Sequence, residues 1–424
     1  MFDELSGRNI EMSREIARRV AQRGGCAYFV GGFVRDMLMN VSSASADVDI
    51  EVHGLRPEEL GEVLSGLGEV VTMGVSFGVF SLRHYNIDIA MPRREHATGR
   101  GHKDFAVFVD PFIGAENAAR RRDFTINALM QNVLTGEVLD FFGGQDDLKR
   151  GVLRHVDDES FVEDPLRVFR LAQFASRFGF SVDPCTAKLC SRMDVKALSR
   201  ERVFGEVEKA LLKSADPSIF FRVLYAIGQS SVWFPEIGAY LSGGQDSGLS
   251  RVLSGAAEVS GKTQNKLGFM CAALSSAIAS RGRPVSAWLR RISSNRKLIR
   301  YCDNTSRACL ALLLRRRPRT IAARERLLLN IYDAADEPAD ALLLAGTVSR
   351  TQGVPGDEEK AALSLYLERV SRPAVTGRDL IAAGIEPGPV LGAAVKYGEK
   401  LRLMGIEKDE ALKTVLKKYE DGEL

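Results

Sequence analysis

Hydrophobic and polar residues follow a strand-like pattern up to about residue 150 and a helical pattern after it. Strands are predicted at CAYFV (26–30), DVDIEV (47–52), FAVFVD (105–110) and, as two strands joined by a turn, VFSLRHYNIDIAM (79–91). The charged stretch MFDELSGRNIEMSREIARRV predicts an amphipathic helix, and FVRDMLM predicts the start of another. Together these elements predict a small antiparallel or mixed sheet flanked by helices.

Strand signals nearly vanish in the rest of the chain. Segments such as PLRVFRLAQFASRFGF and RVFGEVEKALLKS carry apolar residues at helical spacing. Breaks rich in Gly and Ser occur near 241–251 and 351–359. We therefore predict an α/β N-terminal head followed by an all-α neck, body and tail, with bounds near 1–150, 151–215, 216–350 and 351–424.

Length and composition fit a multidomain protein without a membrane span. The chain has 424 residues, 45% hydrophobic and 27% charged, and no apolar run approaches the roughly 20 residues that cross a bilayer. Its charged N-terminal stretch does not resemble a secretory signal, so we predict a cytoplasmic protein. Six scattered cysteines without a CxxC pair predict buried, reduced thiols. No histidine follows His155, so the C-terminal two-thirds cannot build a histidine metal site of its own.

The net charge of +3 says little about partners, but its distribution says more. The stretch from Arg281 to Arg326 holds 14 Lys and Arg residues against the two acids Asp303 and Glu325. Such a density can neutralise several phosphates at once, which predicts RNA binding by the body. A solvated helix face without a partner is the alternative that the charge pattern leaves open.

A glycine corner precedes a pair of acidic residues. Gly31 and Gly32 end the first predicted strand and open a helix, where a phosphate can approach backbone N–H groups. Arg35, one turn further, suits a bidentate contact with phosphate oxygens. Asp47 and Asp49 are two residues apart on the next predicted strand, so their side chains face one side. Adjacent carboxylates repel each other unless a cation neutralises them, and magnesium bound together with nucleotide phosphates is the usual solution.

Two further sets of polar residues suit the other parts of a nucleotide. Arg121 and Arg122 suit a triphosphate, while Asp123 and Asn127 suit ribose hydroxyls.

In the third set, Asp164 is predicted to cap a helix that begins at Pro165. Asp164, Arg167 and Arg170 recur every three residues and line one face of that helix. An arginine donor and an aspartate acceptor match the ring nitrogen and amino group of cytosine or adenine, but not uracil or guanine.

The motifs GGFVRD…DVD, RRDFTINA (121–128) and EDPLR (163–167) resemble those of the class II tRNA nucleotidyltransferases and the related bacterial poly(A) polymerases, within the polymerase-β-like superfamily. The resemblance implies that Asp47 and Asp49 bind two Mg²⁺ ions. One ion would activate the RNA 3′-hydroxyl, and the other would steady the triphosphate and the pyrophosphate leaving group. Side chains of the EDPLR helix would then replace a nucleic-acid template in choosing CTP or ATP for addition to tRNA.

The same resemblance implies roles for the remaining residues. Gly32 and Arg35 match phosphate positions, Arg122 contacts triphosphate, and Asp123 with Asn127 reads the ribose. Asp88 is either a third carboxylate beside the metal pair or a solvated strand residue. Family members often carry an arginine where this chain has Gln173, whose role stays open.

Several activities remain compatible with these motifs. Full CCA addition is favoured, whereas A-only or CC-only addition and bacterial poly(A) synthesis are alternatives. The polar, glycine-punctuated segment 93–110 predicts a flexible loop. The resemblance to the family implies that such a loop favours an enzyme that adds A. The segment 74–80 lacks the basic run common in poly(A) polymerases. Without a histidine after His155 we expect no histidine–aspartate phosphohydrolase domain, and the two acids argue against an inactive RNA-binding module.

Overall fold

The computed structural model describes most of the chain and divides it into two compact units. The described residues are 4–40, 48–72, 78–97, 105–244, 246–279, 285–314 and 320–424. Asp47 and the segment 74–77 therefore lie outside them. The first unit contains residues 1–203 and 226–229, and the second contains 204–225 and 230–424.

A mixed sheet organises the first unit, as predicted. The strands are β1 Cys26–Val30, β2 Val48–His53, β3 Val70–Thr72, β4 Val79–Leu82, β5 Ile87–Ala90, β6 Arg93–Ala97, β7 Phe105–Val109, β8 Met130–Asn132, β9 Val138–Leu139, β10 Val152–Leu153 and β11 Ser181–Val182. Seven of them form one sheet in the order β3-β4-β5-β2-β1-β8-β9. Within this sheet β2 and β5 are parallel, and the other pairs are antiparallel.

Alternation along β2 fixes which side chains face the core. Val48, Ile50 and Val52 are buried in the apolar cluster of the first unit. Because successive strand residues point to opposite faces, Asp49 and Glu51 project from the other face. The pattern of DVDIEV thus serves both core and site, and the strand predicted at 47–52 is confirmed over its described residues.

Helices flank this sheet and continue beyond it in the first unit. They are α1 Glu4–Gln22, α2 Gly32–Leu38, α3 Pro57–Ser65, α4 Ala115–Arg120, α5 Gly144–Arg150, α6 Asp158–Val162, α7 Leu166–Phe178, α8 Pro184–Cys190 and the start of α9 Arg200–Lys213. The predicted N-terminal amphipathic helix is therefore confirmed, with Ile16, Ala17 and Val20 buried on one face.

The expectation of a flexible loop over 93–110 is wrong for its described ends. Strands β6 and β7 pair antiparallel from Arg93 opposite Val109 to Ala97 opposite Phe105. They form a separate two-stranded ribbon. The strand predicted at FAVFVD (105–110) is confirmed as β7. The polar sequence RREHA has no hydrophobic alternation, so it gave no strand signal for β6. Residues 98–104 lie outside the described residues.

Every described element from Ser218 onward is helical. The α-helices are α10 Ser218–Ala226, α11 Ser230–Trp233, α12 Pro235–Ser242, α13 Asp246–Val259, α14 Lys266–Ala277, α15 Ala287–Ile292, α16 Arg296–Leu314, α17 Ile321–Ala334, α18 Pro338–Thr351, α19 Asp357–Ser371, α20 Gly377–Ala382, α21 Pro389–Leu403 and α22 Lys408–Glu420. This confirms an α/β head followed by a mostly helical remainder. The four-part division stays a prediction, and the boundary between the units falls within α9, ahead of the predicted neck–body boundary at 215.

Two general expectations are also tested by the described residues. None of the described helices is both long and apolar enough to cross a membrane. All six cysteines are unpaired. Burial is as predicted for Cys190, Cys271, Cys302 and Cys309, but Cys26 and Cys185 are exposed, which corrects that expectation.

Candidate active site

The glycine corner brings together residues from three separate motifs. Gly31 lies between β1 and α2 with φ of 64°, a conformation that favours glycine. A methyl group added there would lie 3.2 Å from Nη1 of Arg122 and 3.8 Å from Oδ2 of Asp49. The missing side chain therefore leaves room where a guanidinium and a carboxylate approach the backbone. This is the arrangement that the corner, the paired acids and the arginine motif predicted separately.

Two carboxylates of the candidate metal site lie on neighbouring parallel strands. Asp49 on β2 stands directly opposite Asp88 on β5, so both side chains face the same side of the sheet. Asp49 is half-buried and Asp88 is exposed. Carboxylate oxygens are the ligands that magnesium prefers, so both residues are of a type that can bind a divalent cation. Asp47 lies outside the described residues, and inside them no group of three or more His, Cys, Asp or Glu side chains is close enough to hold a metal.

Glu51 holds Arg122 beside this corner, a contact that the sequence reasoning missed. Nη2 of Arg122 donates to Oε2 of Glu51 over 3.1 Å, and Nε2 of His53 lies 2.9 Å from Oε1 of the same carboxylate. Burial raises the pKa of Glu51, but the hydrogen bond from His53 and the charge of Arg122 outweigh it, so the pKa lies below its ordinary value. Glu51 and His53 follow Asp49 at two-residue spacing, so the sequence could have placed all three on the same face of the strand.

Arg122 also has an unused donor. Its Nε is buried and has no hydrogen-bond partner among the described residues. A buried donor without an acceptor is costly, so an added acceptor at this point would be stabilising. A triphosphate oxygen, which the sequence predicts as a partner of Arg122, could supply such an acceptor.

Asp123 and Asn127, the predicted ribose readers, are buried and bonded to each other. Oδ1 of Asp123 accepts from Nδ2 of Asn127 over 3.0 Å and from the backbone N–H of Phe124 over 2.8 Å. Its Oδ2 accepts from Nε of Arg170 over 2.6 Å. Burial acts to raise the pKa of Asp123, but Arg170 and these hydrogen bonds bring it below its ordinary value. Both residues are thus fixed in place on the loop that follows α4.

Arg35 occupies an interior position. Its Nε and Nη2 approach Oδ1 of Asp36 at 2.8 and 2.6 Å, and its Nη1 donates to Oδ1 of Asn127 over 2.6 Å. Burial lowers the pKa of Arg35 below its ordinary value despite the neighbouring carboxylate of Asp36. The guanidinium of Arg35 is therefore paired with a carboxylate of its own helix. The predicted contact of Arg35 with phosphate stays a prediction.

The neck helix α7 begins one residue later than predicted. Pro165 is the N-cap and Leu166 the first helical residue, so the expectation of Asp164 as cap and Pro165 as first residue is wrong. The carboxylate of Asp164 still accepts the backbone N–H of Leu166 over 3.1 Å. An aspartate bonds an N–H two residues on in a turn as well as at a cap, so the sequence alone did not separate the two geometries. The same carboxylate accepts from Nη2 of Arg202 over 2.8 Å.

Arg167 and Arg170 extend from α7 towards the loop that carries the arginine motif. Arg167 donates from Nη1 to the carbonyl of Ser160 over 2.6 Å and from Nη2 to the carbonyl of Arg121 over 2.7 Å. Arg170 donates to Asp123, as described above. The side chain of Arg121 donates to the backbone carbonyl of Arg93. The predicted base-reading residues and the predicted phosphate and ribose residues are thus connected directly within the first unit.

Comparison with known families agrees with this geometry. Residues 27–154 match the family described as the poly A polymerase head domain. This match covers most of the predicted head and less than a third of the chain. It contains Gly31, Asp49, Asp88 and Arg122, whereas Asp164, Arg167 and Arg170 lie just beyond the matched segment.

Curated relatives add a more specific likeness. The chain is 39% identical over 217 residues to the multifunctional CCA protein of Haemophilus ducreyi, an alignment that covers 50% of each protein. It is 40% identical over 219 residues to the protein of that name from Pasteurella multocida, again over 50% of each. The chain thus spans about half the length of the curated relatives it matches.

Solved structures show that the likeness of fold extends over nearly the whole chain. The CCA-adding enzyme of Bacillus stearothermophilus in complex with CTP has a TM-score of 0.68 at 23% identity, with 98% of both chains covered. The Thermotoga maritima enzyme complexed with tRNA has a TM-score of 0.63 at 23% identity, with 96% of this chain and 95% of that chain covered. The predicted fold class is thereby confirmed.

Proposed function

We propose that this chain adds C and A nucleotides to the 3′ end of tRNA from CTP and ATP without a nucleic-acid template, releasing pyrophosphate. The observation that carries the proposal is the convergence of Gly31, Arg122 and Asp49 in a head of the poly A polymerase family. The CCA-adding fold of the remainder and the half-length likeness to multifunctional CCA proteins support the choice of tRNA as substrate.

The proposed metal site consists of Asp49 and Asp47, with Asp88 as a neighbour in register with Asp49. Its carboxylate oxygens suit two Mg²⁺ ions, which would supply Lewis-acid activation of the RNA 3′-hydroxyl and neutralise the triphosphate. Asp49 contributes by fixing one carboxylate at the glycine corner, where a phosphate has access to backbone N–H groups.

The nucleotide would be held by groups that the fold already positions. We assign the triphosphate to the corner of Gly31 and Gly32, with Arg121 and Arg122 as cations. The ribose is assigned to Asp123 and Asn127, whose mutual hydrogen bond fixes their orientation.

The base is assigned to Arg167 and Arg170 on α7 and to Asp164, which lies just before that helix. In the structure Asp164 accepts a hydrogen bond from Arg202, and Arg170 donates one to Asp123. Arg167 donates to two backbone carbonyls. A base would therefore have to use the remaining donors and lone pairs of these side chains, or displace one of these contacts.

We propose that the body and tail bind tRNA. Four described arginines of the basic cluster already pair with acids, namely Arg290 with Asp303, Arg291 with Glu236, Arg300 with Asp336 and Arg324 with Glu358. These four arginines are already neutralised by acids, so fewer positive charges are available to RNA than the sequence suggested. Phosphate binding would depend on the rest of the cluster. A cytoplasmic location also stays a prediction, testable by cell fractionation.

An incorporation series tests the proposed function against its alternatives. tRNAs that lack the terminal CCA, CA or A are each supplied with CTP alone, ATP alone, or both. Completion of all three positions is expected, with addition stopping after the final A. Only A added, only CC added, or long A tracts would instead identify a partial enzyme or a poly(A) polymerase. Asp49→Asn is the inactive control, because it keeps the shape of the side chain while removing its charge.

A further inference from the structure

Helix α7 is attached to the head by a closed ring of polar contacts. The ring leaves α7 at Arg170 and returns to it at Arg177, seven residues or about two helical turns later. Between these points it passes through four head residues, in the order Asp123, Asn127, Arg35 and Asp36.

The contacts in this ring are short except for the last one. Those already described, from Arg170 through Asp123 and Asn127 to Arg35 and Asp36, measure 2.6 to 3.0 Å. The closing contact, from Nη2 of Arg177 to Oδ2 of Asp36, measures 3.4 Å. Its two side chains are 26% and 13% exposed, whereas Arg35 is almost fully buried. The Asp36–Arg177 contact is therefore the long and accessible link.

Aromatic side chains of α7 fill the ring. Phe174 and Phe178 stack with centroids 5.8 Å apart and planes 9° from parallel. The guanidinium of Arg35 lies 4.6 Å from the centroid of Phe178 and 5.3 Å from that of Phe174. Arg170 lies over Phe174 at 5.3 Å, and Arg177 over Phe178 at 4.8 Å. Each arginine of the ring thus combines a polar partner with an aromatic face, an arrangement that suits a planar guanidinium better than an ammonium group.

The ring connects the two parts of the candidate site that have to act on one nucleotide. Arg35 and Asp36 belong to α2, which begins directly after the glycine corner. Arg167, the predicted base reader, lies on α7 one turn before Arg170. A rotation or shift of α7 relative to α2 would move the base-reading groups relative to the phosphate corner.

We propose that this ring sets the position of α7 against the glycine corner, so that Asp36 and Arg177 are positioning residues for nucleotide choice. The proposal rests on the proposed function. The proposal also accounts for the burial of Arg35, which joins the two halves of the ring through Asn127 and Asp36. Neither Asp36 nor Arg177 belongs to the predicted substrate contacts. An effect of Arg177→Gln on base choice would therefore act through α7, whereas Asp36 also contacts Arg35, a predicted phosphate residue.

The test compares discrimination between CTP and UTP in Arg177→Gln, Arg177→Lys and Asp36→Asn. For each variant, kcat and KM are measured for CTP, ATP and UTP on a tRNA that lacks the terminal CCA. Misplacement of reacting groups by about 1 Å costs up to about a hundredfold. We therefore expect Arg177→Gln to reduce the CTP-to-UTP ratio of kcat/KM by about tenfold or more. Arg177→Lys should restore part of it, because an ammonium can still pair with Asp36.

A double-mutant cycle and a matched control separate positioning from general destabilisation. The effects of Arg177→Gln and Asp36→Asn on discrimination should be less than additive, since both break the same link. Arg23→Gln removes another ion pair of the first unit, that with Glu62, and should leave discrimination unchanged. Thermal melting of all variants is recorded alongside.

The outcomes distinguish the two hypotheses. If the unmodified chain incorporates no nucleotide, the proposed function fails and this inference fails with it. If the unmodified chain is active but Arg177→Gln and Asp36→Asn keep its CTP-to-UTP ratio, only the positioning role is overturned. Equal losses for all three nucleotides that follow the melting temperature would also overturn it, because they would indicate a purely structural link.

Discussion

Replacing Glu51 by glutamine tests how Arg122 is held at the glycine corner. The substitution keeps the size of the side chain but removes the charge that faces Arg122 and His53. In the folded chain Oε2 lies 3.1 Å from Nη2 of Arg122, and the side chain of Glu51 is only 11% exposed. The amide oxygen can accept one of the two hydrogen bonds, and the amide nitrogen would face a donor in place of the other.

The expected loss of stability at neutral pH is about 2 kcal/mol. A hydrogen bond to a charged group contributes about 1.5–3 kcal/mol, and breaking a fully buried ion pair costs about 3–5 kcal/mol. Because the side chain of Arg122 is 23% exposed, water partly replaces the lost partner, and the lower range applies. At about 1.4 kcal/mol per factor of ten, this corresponds to roughly 30-fold weaker protection of the head against unfolding.

The effect should also depend on pH, with a direction that follows from the pKa of Glu51. That pKa lies below its ordinary value of 4.5 in the folded chain. The carboxylate therefore contributes stability above about pH 4.5, and the contribution is lost as the pH falls through the folded-state pKa. The difference between Glu51→Gln and the unmodified chain should be full at pH 7 and shrink in acid.

The assay has to report on the first unit separately. Both tryptophans, Trp233 and Trp288, lie in the second unit, so tryptophan fluorescence follows that unit and serves as an internal reference. Hydrogen exchange of peptides from β1 and β2, measured by mass spectrometry, reports on the head. Glu69→Gln is the matched control, because Glu69 forms an exposed ion pair with Arg83 and should change stability by less than about 1 kcal/mol. Equal exchange in Glu51→Gln and Glu69→Gln, or an effect that does not shrink in acid, would refute the reasoning.

Three further substitutions address the proposed function. Asp49→Ala should abolish nucleotide incorporation while leaving tRNA affinity, measured by filter binding, nearly intact; a large loss of affinity would contradict its assignment to the metal site. Arg167→Ala should relax base choice more than it slows transfer, so unchanged exclusion of UTP would refute a protein template on α7. Gly31→Ala should lower incorporation by at least about tenfold, since the added methyl group meets Arg122 at 3.2 Å and φ of 64° disfavours alanine; unchanged kinetics would show that the corner tolerates a side chain.

Local patterns in the sequence predicted the elements that have one buried face. β2 is an example, because Val48, Ile50 and Val52 alternate with polar residues and reach the core in that register. Helix α1 is another, because Ile16, Ala17 and Val20 recur at helical spacing and lie buried. In the ribbon, the apolar run FAVFVD marked β7, but the polar sequence RREHA carried no comparable pattern for β6.

The contacts that organise the candidate site could not be predicted in the same way. Glu51 and Arg122 are 71 residues apart, Arg35 and Asn127 are 92 apart, and Asp36 and Arg177 are 141 apart. No local spacing encodes such pairs, which form only once the sheet and α7 are assembled. The motifs indicated which residues belong to a nucleotide site, but not which of them contact each other.

This difference changes how substrate binding should be understood. A motif presents Arg122, Arg167 and Arg170 as charges available to a nucleotide, yet the fold gives each of them an internal acceptor. Such internal partners avoid the cost of a buried, unpaired cation while no nucleotide is bound. A nucleotide group that takes over one of these donors gains only the difference between the new contact and the old one. A multiply charged triphosphate can outcompete a single carboxylate for such a donor, whereas a neutral base edge gains little binding energy by replacing the internal acceptor. Base choice should therefore be more sensitive than triphosphate binding to small shifts of α7, which is why discrimination, and not overall activity, is the sensitive measurement.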